Sequence, residues 1–326
     1  MDFDLRLVRY FVVVADELHF GRAAVKLYIS QPALSKQIRK LEDFVGEPLL
    51  VRDSRHVRLT LRGQRFLEDA RQLLTIAERM SHPQDLNVVR IANVFELTTS
   101  REVADAFAVA NPNVQVVERS MDSIRQLDAL LSDWLDVAIL RVTRQMVADH
   151  PAGWHYRLLR LEPMLLVGRP GDPHQDIASF HERPVEVFAD TPGSGMYNAH
   201  GDYMTAFEKD TGVALRWLGN PGTFNHCLSA VMRARVPAFV LEFASYAQRY
   251  AEVGLPVYHP SERQPVYPWS IAWRDEQLAE PVAEFVRTAH KLAREKRWTS
   301  VDGGLAPIWL PPDDPAISAL LPARSP

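Results

Sequence analysis

Residues 20–42 read Phe-Gly-Arg-Ala-Ala-Val-Lys-Leu-Tyr-Ile-Ser-Gln-Pro-Ala-Leu-Ser-Lys-Gln-Ile-Arg-Lys-Leu-Glu, and they decide the fold of the N-terminal part. Ser30 is a predicted N-cap, and Pro32 falls in the first turn of the helix that follows it, where a missing N–H costs little. The residues before Ser30 predict a shorter helix with apolar residues at i, i+3, i+4 and i+7, namely Phe20, Ala23, Ala24 and Leu27. Two short helices joined by a tight turn form a helix-turn-helix, which places its second helix in a DNA major groove.

The second helix of this motif has one apolar and one polar face. Leu34, Ile38 and Leu41 have the spacing of a buried face. The residues left outside near its N-terminus carry groups suited to base edges and phosphates: Gln31, Ser35, Lys36 and Arg39.

The flanking sequence predicts the rest of a small domain. Residues 5–18 form an amphipathic pattern that would complete a three-helix core. Two apolar runs flank the polar turn Asp53-Ser54-Arg55-His56 and predict a hairpin, or wing. Such a wing would direct three arginines towards the minor groove or the DNA backbone: Arg52, Arg55 and Arg58.

A long helix is predicted from Thr60, a plausible N-cap, to about Ser81. Its apolar stripe consists of Leu67, Ala70, Leu74 and Ala77. A stripe of this kind on so small a domain predicts a partner helix, and therefore dimerisation.

Charge supports a nucleic-acid interpretation. The first 80 residues hold fourteen Lys and Arg against eleven Asp and Glu, whereas the whole chain carries a net charge of −4. Each part also has an ordinary interpretation, because basic residues on helices usually form solvated faces. The order of capped helix, basic hairpin and long helix is what favours DNA binding.

The segments Leu7–Phe11, Phe20–Ala24, Ser30–Ile38, Leu41–Glu42 and Leu59–Gly63 together closely resemble the winged helix-turn-helix of LysR-type transcriptional regulators. The resemblance implies a dimer built on the linker helix, commonly paired into a tetramer, on a partly palindromic double-stranded operator. By residue match, the family's DNA contacts fall on Gln31, Pro32, Ser35, Lys36 and Arg55.

The remainder of the chain predicts a second, larger part. At 326 residues and 47% hydrophobic content, the chain is long enough for more than one domain. No secretory signal or membrane-spanning run is apparent, and the single cysteine, Cys227, excludes an internal disulfide. These features predict a cytoplasmic protein in which Cys227 has a buried packing role.

From Val88 onwards, strand patterns alternate with helix patterns, as in parallel α/β folds. We predict two Rossmann-like α/β lobes with a ligand in the cleft at the carboxyl ends of the strands. The region resembles the family's effector domain, which is itself similar to periplasmic solute-binding proteins.

Arg141 directly follows a predicted strand, where its guanidinium could hold the carboxylate of a small effector in a bidentate manner. The alternative is that Arg141 only pairs with a neighbouring acid. Matching to relatives that sense aromatic-pathway acids, with the hydroxyls after the first strand added, gives the candidate effector residues Thr98, Thr99, Ser100, Ser123, Arg141, Thr191, Thr223, Phe224 and Asn225.

The predicted organisation therefore has four parts. They are a winged helix-turn-helix (1–60), a linker helix and hinge (61–87), an effector domain (88–298, with lobe I at 88–161 and 267–298 and lobe II at 162–266) and a tail (299–326). The tail holds six prolines and is predicted to be mostly disordered, with docking of Trp309 and Leu310 as the alternative.

No enzyme motif is evident: the chain has no G-x-S-x-G, P-loop, G-x-G-x-x-G or H-E-x-x-H pattern, and its histidines are scattered. We therefore expect neither catalysis nor a metal nor a cofactor. The preferred function is an effector-responsive DNA-binding regulator. A DNA-binding architectural protein with a vestigial cleft, and a cytoplasmic solute-binding protein or enzyme with an accidental helix-turn-helix, are the alternatives.

Overall fold

The computed structural model describes residues 4–27, 29–52, 57–81, 87–94, 97–193, 198–219, 223–274, 278–300 and 306–320. The chain divides into two compact units, Met1–Asp85 and Leu86–Pro326. Within the described ranges, no helix has the length and apolar character needed to cross a membrane.

The first unit is a winged helix-turn-helix. Its elements are α1 (Leu5–Glu17), α2 (Phe20–Lys26), α3 (Gln31–Val45), β1 (Leu50–Arg52), β2 (Val57–Leu59) and α4 (Leu61–Ser81). The strands β1 and β2 pair antiparallel, with Leu50 opposite Leu59. A single core, including Phe11, Leu34, Ile38 and Phe66, joins the helices to the base of the wing.

The start of α4 is fixed by polar contacts. The Gly63 N–H donates to the Thr60 hydroxyl oxygen at 2.8 Å, and that hydroxyl donates to the Pro48 carbonyl oxygen at 2.8 Å. Gly63 also lies so close to β1 that an added Cβ would be 2.0 Å from the Leu49 carbonyl oxygen. Only glycine allows this approach of helix and backbone.

The apolar stripe of α4 differs from its predicted role. Leu67 and Ala70 are buried in the core of their own unit, and Leu73 and Leu74 are half-buried against it. The first part of the stripe therefore packs against α1 instead of being left for a partner helix, because a three-helix core of this size is completed only by α4.

The second unit is a mixed α/β fold with one continuous sheet. Its elements are β3 (Val88–Asn93), α5 (Thr98–Ala110), β4 (Gln115–Ser120), α6 (Ser123–Leu131), β5 (Val137–Leu140), α7 (Arg144–Asp149), β6 (Trp154–Val167), β7 (Ile177–Ala178), β8 (Val185–Val187), α8 (Ala199–Thr211), β9 (Leu215–Trp217), α9 (Phe224–Arg233), β10 (Phe239–Phe243), α10 (Ala244–Glu252), β11 (Val257–Pro260), β12 (Gln264–Arg274), α11 (Glu280–Glu295), β13 (Ile308–Trp309) and α12 (Ile317–Leu320).

The strand order β4-β3-β5-β12-β6-β10-β8-β9 shows how two lobes share this sheet. The parallel strands β4, β3 and β5 belong to lobe I, and the parallel strands β10, β8 and β9 belong to lobe II. The long antiparallel strands β6 and β12 connect them: β6 pairs with β12 from Trp154 to Pro163 and with β10 from Met164 to Val167. The predicted fold of two α/β lobes after a winged helix-turn-helix is confirmed.

The C-terminal segment, which we define as residues 306–320, differs from the predicted disorder. Strand β13 pairs in parallel with β12, and the buried Trp309 packs edge-on against Tyr203 and Phe207 of α8 at 5.0–5.2 Å between ring centroids. The Trp309 indole N–H donates to Asp210 at 2.6 Å. Proline content predicted disorder, but prolines also suit an extended edge strand, and one large aromatic side chain supplies the anchor.

Candidate DNA-binding helix and effector cleft

The helix α3 presents a polar face to solvent. Ser30 caps it, since its hydroxyl oxygen accepts from the Ala33 N–H at 3.3 Å. Leu34, Ile38 and Leu41 are buried on the opposite face. Of the predicted DNA contacts on this helix, Ser35 is half-buried, and the exposed ones are Gln31, Pro32, Lys36 and Arg39.

The neighbouring helix α2 positions the start of α3. An added Cβ on Gly21 would lie 3.6 Å from Oε1 of Gln31, a distance of ordinary contact, so α2 lies directly beside the start of α3. The two cations of α2 form ion pairs with an acid of α1. Arg22 Nε lies 3.0 Å from Glu17 Oε2, and Lys26 also pairs with Glu17. The hydrogen bond from Lys26 lowers the pKa of the Glu17 carboxyl, with Arg22 acting in the same direction. These two cations thus already pair with a carboxylate of their own unit, while 63% and 65% of their side chains remain exposed.

The wing is described in part. Arg58 lies on β2 and is exposed. Arg52 ends β1, but its side chain, like the whole of Arg55, lies outside the described residues.

Arg141 lies at the point where the two lobes of the second unit meet. It follows β5 of lobe I, and its backbone N–H donates to the Ser123 hydroxyl oxygen at the start of α6, at 3.2 Å. Its Nη1 donates to the carbonyl oxygen of Ala199, the first residue of α8 in lobe II, at 2.7 Å. The guanidinium therefore connects the carboxyl edge of one lobe to a helix of the other.

A carboxylate already binds this guanidinium, and it comes from the chain itself. Arg141 Nη2 donates to Asp314 Oδ2 at 2.8 Å, with 5% of the Arg141 side chain and 1% of the Asp314 side chain exposed. The other oxygen, Oδ1, accepts from the Ala316 N–H at 3.0 Å. Arg141 is thus paired with an acid, as the alternative interpretation of the sequence had it, but the acid lies 173 residues away.

Aromatic side chains form the walls around Arg141. Its Cζ lies 5.4 Å from the ring centroid of Tyr203 and 5.8 Å from that of Tyr267. Burial raises the pKa of both tyrosines, so their hydroxyl groups stay neutral. Tyr203 donates its hydroxyl to the Val266 carbonyl oxygen at 2.9 Å. Both rings are buried in the same hydrophobic core, so the guanidinium is enclosed by aromatic surface.

Two buried nitrogen atoms at this place have no hydrogen-bond partner among the described residues, Arg141 Nε and His200 Nδ1. The His200 ring lies 5.6 Å from that of Tyr267. Burial, together with the Arg141 charge, lowers the pKa of His200 to about 4, so the imidazole is neutral. Unpaired buried polar atoms are rare, and here they mark the same small region.

The other predicted effector residues fall into three groups. At the start of α5, Thr98 is half-buried, the Thr99 hydroxyl oxygen accepts from Arg160 Nη1 at 3.0 Å, and the Ser100 hydroxyl donates to the Leu97 carbonyl oxygen at 3.3 Å. After β8, Thr191 is exposed. The hydroxyl groups of Thr99 and Ser100 are therefore already used within lobe I.

The third group lies at the start of α9. Thr223 is its N-cap and Asn225 is exposed. Phe224 differs from its predicted role, because its ring is buried in the core of lobe II, 4.8 Å from the ring centroid of Tyr250. Cys227, three residues later, is buried in the same core.

The family models match both parts of the chain. Residues 5–64 match the bacterial regulatory helix-turn-helix protein model of the lysR family, and residues 87–294 match the LysR substrate binding domain. The chain belongs to the lysR family. It is accordingly a DNA-binding transcriptional regulator with an effector-binding domain.

Individual LysR-family proteins agree with this assignment. The uncharacterized HTH-type transcriptional regulator YnfL of Escherichia coli K12 is 35% identical over 213 residues, which cover 61% of this chain and 70% of YnfL. XapR of the same organism is 38% identical over 57% of this chain and 64% of its own length. TfdT of Cupriavidus pinatubonensis is 31% identical over 57% of this chain and 92% of its own length.

Solved LysR-family structures share the fold. Full-length CbnR in complex with its target DNA aligns with a TM-score of 0.59 at 20% identity, over 89% of this chain and 100% of CbnR. Full-length BenM aligns with a TM-score of 0.51 at 21% identity, over 92% of this chain and 100% of BenM.

Proposed function

We propose that this regulator reads an operator through the exposed face of α3 and that a small molecule bound between its lobes modulates the binding. The single observation that carries the first part is the arrangement of α3, in which a capped N-terminus and a fully buried apolar face leave Gln31, Lys36 and Arg39 exposed. The Gln31 amide and the Lys36 ammonium can read base edges in the major groove, and the Arg39 guanidinium can bind a backbone phosphate.

The supporting contacts in this proposal come from the rest of the first unit. Pro32 and Ser35 lie on the same helix, and the arginines of the wing contact the backbone or the minor groove: Arg52, Arg55 and Arg58. Two copies associating through α4 would place two such helices on the half-sites of a partly palindromic operator. Pairing of dimers into tetramers belongs to the same proposal, as does a cytoplasmic location, where the operator is found.

The effector part of the proposal rests on the meeting point of the lobes. Arg141 and Ser123 are in contact there. The other candidates lie in the segments that follow the carboxyl edges of the strands: Thr98, Thr99 and Ser100 begin α5, Thr223 caps α9, Asn225 lies in its first turn, and Thr191 lies in the loop after β8. Ligands of open α/β sheets bind at this edge. A carboxylate is the class of group that best suits Arg141.

A second candidate is an effector-independent DNA-binding protein. It is favoured by one observation, namely that Asp314 already neutralises the Arg141 guanidinium. In this alternative the C-terminal segment is a permanent part of the effector domain.

The DNA part is tested by selecting duplexes from a random library with the full-length chain and measuring their affinity for variants. We expect Gln31→Ala and Lys36→Ala to lose about tenfold or more in affinity for the selected duplex, since one good base contact contributes about 1–3 kcal/mol. Lys291→Ala is the matched control, because that exposed lysine lies on α11 of the other unit. Unchanged affinity in both α3 variants would refute this assignment of the reading helix.

A further inference from the structure

Leaving the buried guanidinium of Arg141 without an anion would be costly. Its side chain is almost fully removed from solvent. Removing one partner of such a buried pair leaves an uncompensated charge, which is costly. Any state of the protein in which Asp314 leaves must therefore supply another anion at the same position or let water in.

The anion is supplied by a segment with a separate anchor. Trp309 holds the segment to α8 of lobe II through its ring contacts and its hydrogen bond to Asp210. Five residues later, Asp314 reaches Arg141 of lobe I. The acid can thus detach from Arg141 while the tryptophan stays in place, because the two attachments use different residues and different lobes.

The surroundings of Asp314 leave hydrogen-bonding capacity that it does not use. Arg141 Nε and His200 Nδ1 are buried and unpaired among the described residues. Only Oδ2 of Asp314 accepts a hydrogen bond from the guanidinium, because its Oδ1 accepts from the Ala316 N–H of its own segment. A free carboxylate can bind a guanidinium with both oxygens, which is the stronger arrangement.

From these contacts we infer that the Arg141 site binds carboxylates, that Asp314 is its resident occupant, and that a carboxylate effector binds by displacing Asp314. The tyrosine walls favour a small carboxylate with a planar or apolar body. Displacement removes one of the ties between lobes I and II, so the occupant of the site controls how firmly the lobes are joined. This inference rests on the proposed function only for its regulatory consequence, since the carboxylate site itself can be tested without DNA.

The test is rescue of a vacated site by added acetate. In the full-length protein, Asp314→Ala removes the resident carboxylate, and thermal unfolding is followed with increasing sodium acetate against sodium chloride at equal ionic strength. We expect Asp314→Ala to unfold at a lower temperature than the wild type and acetate, but not chloride, to raise that temperature by roughly 2–4 °C or more as the site fills.

Two further variants make the result specific. Asp313→Ala removes the neighbouring acid, whose pair with Arg144 is exposed, and it should respond to acetate as the wild type does. The double variant Arg141→Met with Asp314→Ala should lose the acetate effect. Equal responses of Asp314→Ala and the wild type, or an acetate effect that survives in the double variant, would overturn the inference.

A second measurement needs no variant and decides the question if Asp314→Ala does not fold. Hydrogen exchange of amides in residues 306–320 of the wild type is compared in sodium benzoate and in sodium chloride. We expect faster exchange in benzoate at Ala316, whose amide donates to the Asp314 carboxylate, and at Ile317, whose amide donates to the Asp314 backbone carbonyl oxygen. Unchanged exchange would overturn displacement, and because neither measurement uses DNA, failure of the inference is distinguishable from failure of operator binding.

Discussion

The cations of α3 and the cation that follows β5 lie in opposite environments. Lys36 and Arg39 are exposed on a helix whose other face is buried, whereas Arg141 is buried and bound to Asp314. An exposed cation contributes little to folding and is available to a large polyanion. A buried cation must be neutralised by a specific anion, so its site selects for one chemical group. In our proposal, the two regions thus separate a surface for DNA from a site for a small anion.

The largest difference between the two environments should appear on removing the buried cation. Arg141→Met leaves the Asp314 carboxylate buried without its partner, and we expect it to lower the free energy of unfolding by about 3–5 kcal/mol. Arg144→Ala, which removes an arginine with 76% of its side chain exposed, should stay within about 0.5 kcal/mol. Urea unfolding of the three proteins checks this, and equal losses would remove the basis of the comparison.

The buried carboxyl of Glu242 should make the stability of the effector domain depend on pH. Burial raises the pKa of Glu242 to about 8 from 4.5, with Glu162 acting in the same direction, although Tyr250 donates to Glu242 at 3.3 Å. The protonated carboxyl therefore stabilises the fold fully below about pH 4.5, and this contribution is lost as pH rises through about 8.

A glutamine side chain cannot ionise, so we expect the free energy of unfolding of Glu242→Gln not to fall between pH 4.5 and 8. Near pH 8 the variant should be more stable than the wild type by a few kcal/mol. Unfolding free energies between pH 5 and 8 measure the difference, with the exposed Glu295→Gln as control. Parallel pH profiles for wild type and Glu242→Gln would contradict the assignment.

In the DNA-binding unit, the backbone of α4 lies very close to the Leu49 backbone at Gly63. A Cβ there would overlap the Leu49 backbone, which cannot move without shifting the wing, so Gly63→Ala should cost about 1–3 kcal/mol or more. Gly21→Ala is the matched control, because a Cβ on that helical glycine meets side-chain atoms and no backbone, namely the His19 ring at 3.0 Å and Gln31 Oε1 at 3.6 Å. Denaturation of the two variants should separate them, and equal stabilities would show that the wing moves freely.

The smallest expected effect is at the exposed surface. Arg39→Ala should leave stability within about 0.5 kcal/mol of the wild type and weaken binding to all duplexes alike. The slope of log affinity against log salt should fall by about 0.9, as for one phosphate contact. Arg101→Ala, an exposed arginine on α5, is the control. A slope that changes equally in both variants, or in neither, would remove Arg39 from the interface.

The sequence predicted α2 and α3 well because their signals are local. The Ser30 cap and the apolar spacing of Leu34, Ile38 and Leu41 lie within one helix, and each is found in the structure. The strands and helices of the two lobes could be predicted for the same reason. The first half of β6 has a less regular pattern, because it carries two arginines, Arg157 and Arg160, and its partner strand β12 lies far along the chain, at Gln264–Arg274.

The partner of Arg141 could not be predicted from any local pattern. Asp314 lies in a proline-rich stretch without periodicity, and its position depends on the docking of Trp309 against α8. The presence of an acid and a tryptophan among prolines was the available signal. It indicated that the tail could dock, but not where. Phe224 was assigned to the effector cleft by its match to family members. In the structure its ring packs in the core of lobe II, which the match alone could not show.

The buried guanidinium of Arg141 requires an anion, and a double-mutant cycle measures its dependence on Asp314. Free energies of unfolding are measured for the wild type, Arg141→Met, Asp314→Ala and the double variant, and the same four-protein cycle is made for Arg144 and Asp313. We predict a coupling above about 2 kcal/mol for the buried pair and below about 0.5 kcal/mol for the exposed pair. Equal coupling in the two cycles would contradict the account, because Asp314 would then be one more acid near an arginine.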